Sequence, residues 1–246
     1  MSVGVDVDLG SAVISYRPAA GEERSLPTQR VSSGALFDGV PWRMFGWYFG
    51  QRHYSGTWWS ATMRDHVIYE SRLELSRLLL ADFDPDVRRI AAQPFMLTAM
   101  VDGRPRRHIL DYLWDTVDGP VMSMWSAPSG WHIRVLWCCA SGLARSQTRL
   151  PGTTACCQNR RRCDWTTCVF LAGYRRSWLI NANVLREMRS RTTDLIGLSV
   201  ADAERELAAH PQPLVRAALM HLLWCHDLEV DPDKRLRPST VLEAPR

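Results

Sequence analysis

The fold is decided by residues 95–114, which read FMLTAMVDGRPRRHILDYLW. Two apolar runs, 95–101 and 107–114, flank the turn signature Asp-Gly-Arg-Pro at 102–105. Gly and Pro between apolar runs of this length are typical of two strands joined by a tight turn. The stretch therefore predicts a pair of strands in a core rich in sheet.

The second predicted strand carries a carboxylate, Asp111, near its middle. Side chains alternate along a strand, so Asp111 is expected on the same face as Ile109 and Leu113. A carboxylate on an apolar face is costly unless a partner neutralises its charge. A divalent cation does so, and hard oxygen ligands suit Mg²⁺ or Mn²⁺. Asp111 is therefore a candidate catalytic and metal-binding residue.

A helix is predicted upstream, over residues 66–81, and Glu70 lies near its start. Its apolar stripe at helical spacing consists of Ile68, Leu75, Leu78 and Leu79. The Asp84-Pro85 pair should end the helix. An acid on a helix and an acid on a strand, followed by a strand with an acid-x-Lys motif, is a layout for metal-dependent DNA cleavage. Alone, the pair Glu70 and Asp111 is a weak indication. Glu74 is the alternative acid, interpreted as a solvated helix residue.

The flanking regions are less regular. Residues 1–40 predict a loose leader, because Pro and Gly interrupt any sustained period. Residues 42–63 interleave aromatic and basic side chains, which fits a loop packed beside the core or a contact with the DNA backbone. Residues 177–246 predict a small helical module with a helix from Ser199 to about 209 and another over 214–225. A winged-helix-like unit and a helical extension that only packs on the main domain both fit this pattern.

Composition narrows the function classes. The 246 residues suffice for one full domain and a small second one. The net charge of +4 is compatible with a nucleic-acid partner. Lys234 is the one lysine among 30 basic residues, so a catalytic lysine outside the C-terminal region is excluded. No apolar signal region follows Met1, and no run reaches the ~18 apolar residues of a membrane span, so a cytoplasmic location without a membrane is expected.

Five short motifs occur in order along the first half of the chain. They are GQRHYSG at 50–56, YESRLEL at 69–75, DFDPDV at 82–87, AQPF at 92–95 and RHILDYL at 107–113. FLAGYRR at 170–176 and HLLW at 221–224 follow in the second half. Together they resemble the TnsA-like endonuclease subunits of actinobacterial heteromeric transposases. The resemblance covers roughly residues 40–118 and 168–245.

The resemblance implies an α/β protein with a restriction-endonuclease-like core, a mixed sheet flanked by helices, over residues 41–176. It implies a small helical, winged-helix-like module over 177–246. Such subunits cut one strand of double-stranded DNA at each transposon end, beside a DDE transposase and under an AAA+ ATPase regulator. Carried over by position, Glu70 and Asp111 are the catalytic acids and the ligands of Mg²⁺ or Mn²⁺.

The chain departs from the family pattern where the acid-x-Lys strand is expected. Residues 121–127 read VMSMWSA, without an acid or a lysine. From Gly119 to Cys163 there is no Asp or Glu, while five of the seven cysteines fall there. No CxxC pair or His partner has the spacing of a zinc site. Cleavage is therefore expected to be impaired, and a non-catalytic DNA-binding or assembly subunit is the alternative.

The anomalous segment, about 121–165, is interpreted as a translation of the wrong reading frame. Reading codons of residues 122–125 from their third base permits Val-Asp-Val, which would suit the missing strand. The same shift from residue 155 permits an ordinary segment leading into Phe170. A divergent insertion is the other explanation. In either case the third strand should be lost, leaving the sheet edge beside Asp111 unpaired.

Overall fold

The computed structural model describes residues 6–43, 54–123 and 164–245. The chain is a mixed α/β protein with several antiparallel sheets. It divides into two compact units, one of Met1–Ala81 with Asp86–Cys157 and one of Asp82–Pro85 with Gln158–Arg246. The predicted division at residues 176 and 177 differs, because the helix Trp165–Leu171 belongs to the second unit.

The described strands all belong to the first unit. They are β1 Val7–Tyr16, β2 Arg24–Pro27, β3 Gly56–Ser60, β4 Asp65–Tyr69, β5 Val87–Ala92, β6 Met96–Val101, β7 Arg104–Ile109, β8 Tyr112–Thr116 and β9 Gly119–Ser123. They form three sheets with the orders β2-β1-β6-β7, β3-β4 and β5-β8-β9. Every pairing among them is antiparallel, whereas the resemblance implies a mixed sheet.

The expected loose leader is wrong from Val7 onward. β1 lies inside the four-stranded sheet, between β2 and β6, and buries Ala12, Ile14 and Tyr16. A short helix, α1 Ser33–Phe37, packs Leu36 into the same core. The register of β1 on β6 shifts between Asp8 and Val13. This irregularity interrupts the two-residue alternation, so the strand leaves no continuous pattern in the sequence.

The predicted strand 107–114 is two strands in different sheets. β7 ends at Ile109, the chain turns through Leu110 and Asp111, and β8 begins at Tyr112. A second corner of the same polypeptide, between β5 and β6, lies beside this one. Two backbone hydrogen bonds join these corners, from Leu110 N to Phe95 O at 3.2 Å and from Gln93 N to Asp111 O at 2.8 Å. Both flanks of Asp111 are extended and apolar, so the sequence shows one run.

Two hydrophobic clusters meet the strand β8 from its two faces. Leu113 packs with Ile14, Phe95 and Leu97. Tyr112 and Trp114 pack in the other cluster, against Leu78 of the long helix α2, Arg72–Phe83. Because side chains alternate along β8, the strand contributes to both hydrophobic clusters of the first unit. This packing holds the start of β8 in place, next to the corner at Asp111.

The predicted helix 66–81 begins later than expected, at Arg72. Residues 65–69 form β4, which pairs with β3, because Val67, Ile68 and Tyr69 suit a strand. Ser71 starts the helix, since its Oγ accepts a hydrogen bond from Glu74 N at 3.1 Å. The helix ends at Phe83, immediately before Asp84-Pro85, as predicted.

The third strand is present, contrary to the expectation that it is lost. β9 pairs with β8 from Gly119 to Ser123, after a turn at Val117 and Asp118. Gly119 has φ +111°, a conformation that favours glycine, and this explains the turn. The β8 edge is therefore paired over these residues. Of the segment interpreted as out of frame, residues 124–163 lie outside the described residues.

The described helices of the second unit are, in order, α3 Trp165–Leu171, α4 Ala182–Ser190, α5 Thr192–Leu195, α6 Val200–Glu206 and α7 Gln212–Trp224. The two predicted helices are confirmed as α6 and α7, and Ser199 caps α6 by accepting from Asp202 N at 3.1 Å. Isolated bridges pair Ser199 with Val241 and Glu229 with Glu243. None of the helices in residues 6–43, 54–123 and 164–245 has the length and apolar character needed to cross a membrane.

Candidate functional site

The two predicted acids lie at junctions rather than within elements. Glu70 follows β4 directly and is separated from α2 by Ser71, so it is not on the helix. Asp111 lies in the corner between β7 and β8, so it is not mid-strand. Both positions lie in the first unit. A carboxylate at a junction has more room to face a ligand than one held in a sheet ladder.

Gln93 connects the two acids. It sits in the corner between β5 and β6, is 4% exposed, and has φ +48°. Its backbone N donates to the carbonyl of Asp111 at 2.8 Å. Its side-chain Nε2 donates to Oε1 of Glu70. Acids that are 41 positions apart in sequence are thus tied to one buried side chain and its backbone.

Gln93 also binds Trp42 and Arg43, the last two described residues before position 54. Its carbonyl accepts from Trp42 N at 3.0 Å, and its Oε1 accepts from Arg43 N at 3.0 Å. The Arg43 guanidinium lies 3.5 Å from Glu70 Oε1 and its side chain is 54% exposed. A cation is therefore positioned beside Glu70 at the surface of the site.

Glu74 is not the solvated helix residue that the sequence suggested. Its Oε2 accepts from Glu70 N at 2.9 Å, and its Oε1 accepts from Ser71 Oγ at 3.0 Å. With the bond from Glu74 N to Ser71 Oγ, this is a variant of the capping box in which the Glu side chain accepts from Glu70 N rather than from Ser71 N; its Ser-x-x-Glu signature is visible in the sequence. Burial raises the pKa of Glu74, and the hydrogen bonds to Glu70 N and Ser71 oppose that shift.

Tyr112, the first residue of β8, lies next to Asp111 in the chain. Its ring is fully buried, and its hydroxyl donates to Ile68 O at 3.0 Å. Burial raises the pKa of Tyr112 far above its ordinary value, and the carboxylates of Glu74, Asp111 and Glu70 raise it further. Negative charge at Glu70, Glu74 and Asp111 therefore acts on one buried phenol.

His108 extends the site along β7. Burial lowers the pKa of His108 below its ordinary value, and the Arg43 guanidinium lowers it further. The imidazole is therefore neutral near pH 7 and lies within electrostatic range of Arg43. Charge at Arg43, which lies beside Glu70, thus acts on a residue of β7.

The implied Mg²⁺ or Mn²⁺ requires a set of oxygen ligands. Carboxylate oxygens of Glu70 and Asp111 are the type of ligand that these cations prefer. Within residues 6–43, 54–123 and 164–245, however, no group of three or more His, Cys, Asp or Glu side chains is placed to hold a metal ion. Ser123, the last described residue of β9, instead accepts a hydrogen bond from Arg77 at 3.4 Å. The chemistry of the two carboxylates suits such a cation, but the described residues do not assemble a full ligand set.

Sequence reasoning missed the roles of Gln93 and Arg43. Gln93 stands before Pro94, where an extended backbone is favoured, so nothing in the sequence signals its left-handed conformation. Arg43 is one arginine among many. The cysteines at 138, 139, 156, 157 and 163 lie outside the described residues, and Cys168 is buried in the second unit.

No protein-family model, curated protein or solved structure matches this chain.

Proposed function

We propose that this chain is a TnsA-like endonuclease subunit of a heteromeric transposase, acting on double-stranded DNA at transposon ends with impaired cleavage. The observation that carries the proposal is the link through Gln93. Glu70 and Asp111 were selected from separate motifs, and both are tied to this one buried residue. The link reaches the Glu70 carboxylate through the Gln93 side chain and the Asp111 backbone carbonyl through the Gln93 N–H.

The proposal includes the finer architecture. A restriction-endonuclease-like core would comprise α2 and the sheet β5-β8-β9, with its catalytic acids at the ends of β4 and β7. A winged-helix-like module would comprise α6, α7 and the paired segments near Glu229 and Val241. The helix order and the short bridges support the second assignment. The antiparallel pairings of the core are the feature that fits the first assignment least well.

In the proposed site, Glu70 and Asp111 would hold Mg²⁺ or Mn²⁺, which when bound supplies an activated water and offsets phosphate charge. Gln93 orients the Glu70 carboxylate, since its Nε2 donates to Oε1. Arg43 presents a guanidinium that can pair with a phosphate oxygen. An incomplete ligand set should slow cleavage, because metal affinity and water activation both depend on the missing donors.

The proposed partners follow from the same assignment. A DDE transposase subunit would cut the other strand, and an AAA+ ATPase would regulate the pair. Residues 170–246 are the proposed contact region. The full chain should capture the cognate transposase in a pull-down. A chain that lacks residues 170–246 should lose this binding, which would support the assignment.

A nicking assay tests the function. The substrate is a supercoiled plasmid carrying the ends of the transposon that encodes the chain, with Mg²⁺ or Mn²⁺ and the cognate transposase. We expect slow nicking at the ends that requires metal and disappears with Asp111→Asn. Nicking that Asp111→Asn leaves unchanged would assign the activity elsewhere, and a chain that binds no DNA would contradict the proposal.

One observation favours a second candidate, a non-catalytic DNA-binding and assembly subunit. Glu70 Oε1 already has Arg43 and Gln93 as partners, so its negative charge is compensated without a metal. A pseudo-active site would use this arrangement to stay folded. In the same assay this candidate predicts DNA binding and capture of the transposase without any metal-dependent nicking.

A further inference from the structure

β7 presents a row of arginines at the edge of a sheet. Among the described strands it is the last in the order β2-β1-β6-β7, and Arg104, Arg106 and Arg107 are all exposed. Their partners across the ladder on β6 carry no charge: Val101, Ala99 and Thr98. Among the described residues, none of the three guanidinium groups makes an ion pair or a hydrogen bond. Three positive charges without a described ionic partner therefore lie within one six-residue strand.

The two faces of β7 carry different side chains. Alternation places Arg104, Arg106 and His108 on one face, and Arg107 on the other. β7 leads to the corner where Leu110 N donates to Phe95 O at 3.2 Å, and Gln93, in the adjoining corner, accepts from Arg43 N at 3.0 Å. Arg43 in turn lies 3.5 Å from Glu70. The face with Arg104 and Arg106 thus continues through His108 and Arg43 to the candidate site.

We propose that Arg104, Arg106 and Arg43 form a track that binds the phosphate backbone of duplex DNA and leads it to Glu70 and Asp111. This inference rests on the proposed function, because it assumes that DNA is the ligand. Guanidinium groups bind phosphate oxygens in a bidentate manner. Arginines two positions apart on a strand are about 7 Å apart, which allows successive contacts along one backbone.

A simpler role would be protection of the edge strand. Exposed charges on edge strands prevent pairing with other chains, and this role needs no particular face. The track, in contrast, requires Arg104 and Arg106 and not Arg107. Sidedness therefore separates the two roles, and the strand supplies its own control residue.

The test is DNA binding by the full chain, measured by fluorescence anisotropy with a short labelled duplex of arbitrary sequence. The variant Arg104→Gln/Arg106→Gln is compared with Arg24→Gln/Arg107→Gln, which also removes two exposed arginines from edge strands of the same sheet. We expect the first pair to weaken binding at least about tenfold and to reduce the salt dependence by about two ions. The control should stay within about twofold, given that only long-range charge is lost. Arg104→Lys/Arg106→Lys should recover part of the affinity, since charge is kept.

Each outcome bears on the track. Equal losses in both pairs would show a general charge effect and overturn it. Wild-type affinity in Arg104→Gln/Arg106→Gln, together with aggregation, would identify edge protection instead. Tighter binding of duplex RNA or anionic vesicles than of DNA would also overturn it. Failure of the wild-type chain to bind any duplex would remove the proposed function itself, a result distinct from a failure of the track alone. Circular dichroism and melting curves confirm that each variant is folded.

Discussion

At the scale of single residues, Gln93 determines how the candidate site is built. A non-glycine residue at φ +48° costs on the order of 1–3 kcal/mol and persists where its surroundings hold it firmly. Here the backbone and the side chain of Gln93 make hydrogen bonds to Asp111, Trp42, Arg43 and Glu70. The strain is offset by contacts that converge on the proposed acids.

Substitution of Gln93 separates strain from contact. Gln93→Ala keeps the unfavourable φ and removes both side-chain hydrogen bonds, so we expect a loss of about 2–3 kcal/mol in the free energy of unfolding. Gln93→Gly loses the same bonds, but glycine adopts this φ without strain. We therefore expect its loss of unfolding free energy to be about 1 kcal/mol smaller than that of Gln93→Ala. Urea denaturation measures both values. Equal stability of the two variants would argue against strain at this position.

Arg43 should be detectable through its effect on His108. Burial is the larger cause of the lowered pKa of His108 and the Arg43 guanidinium is the second, so Arg43→Met should raise that pKa. A histidine with a lowered folded-state pKa holds fewer protons than in the unfolded chain, so wild-type stability declines as pH falls below about 6.5. Arg43→Met should lessen this decline.

NMR titration of the His108 imidazole measures the pKa directly. Arg107→Met is the matched control, because Arg107 lies on the opposite face of β7 and should leave the pKa unchanged. An Arg43→Met variant with an unaltered His108 pKa would show that the two side chains are not neighbours. The track proposed along β7 would then lose its link to Glu70.

At the scale of elements, the start of α2 joins stability to the site. The capping box places Glu74 against Glu70 N, and burial raises the pKa of Glu74. A carboxyl group with a raised folded-state pKa takes up its proton at higher pH than in the unfolded chain. Folding is therefore favoured as pH falls through that window, which begins above the ordinary value near 4.5.

Glu74→Gln tests this linkage. It cannot titrate, so the wild type should gain stability relative to the variant as pH falls from 7 toward the ordinary pKa. Thermal melts of both proteins over this range measure the difference. A difference that stays constant with pH would show that Glu74 has an ordinary pKa. Ser71→Ala should cost about 1 kcal/mol near pH 7, because it removes the cap, and the cost should lessen as pH falls, because Ser71 Oγ also favours the charged form of Glu74.

The success of sequence interpretation differs between elements for physical reasons. The turn at 102–105, the end of α2 at Asp84-Pro85 and the helices α6 and α7 depend on local signals, and all are present. The split of 107–114 at Asp111 depends on the chain moving between sheets, which is a tertiary effect. β4 was included in the helix because Ile68 happens to fit the helical stripe. Gln93 belongs to the motif at 92–95, but its bonds to Glu70 and Asp111 join distant segments and leave no local pattern.

At the scale of the whole molecule, arginine dominates the basic surface. With 30 basic and 26 acidic residues the net charge is small, so binding to DNA requires cations concentrated on one surface. Binding to duplex DNA should show little sequence preference and decline steeply between low and moderate salt, because phosphate contacts release counterions. Anisotropy titrations at several salt concentrations measure this slope. Affinity independent of salt would exclude a phosphate-dominated interface.

The segment at about 121–165 is the part of the whole chain that the reading-frame hypothesis concerns. We expect resequencing across codons 119–168 to reveal a shift of frame, given the absence of acids over Gly119–Cys163. One uninterrupted frame in the genomic DNA would establish a divergent insertion. β9 is compatible with both results, since it is described only through Ser123.

The central claim, that Glu70 and Asp111 act as one site on DNA, is tested most directly by a double-mutant cycle on the nicking rate. Glu70→Gln, Asp111→Asn and the double variant are compared with wild type on plasmid carrying the transposon ends, with Mn²⁺. Residues that act as a unit are strongly non-additive, so each single variant should lose nearly all nicking and the double variant no more. Losses that multiply in the double variant, or nicking retained by either single variant, would contradict the claim.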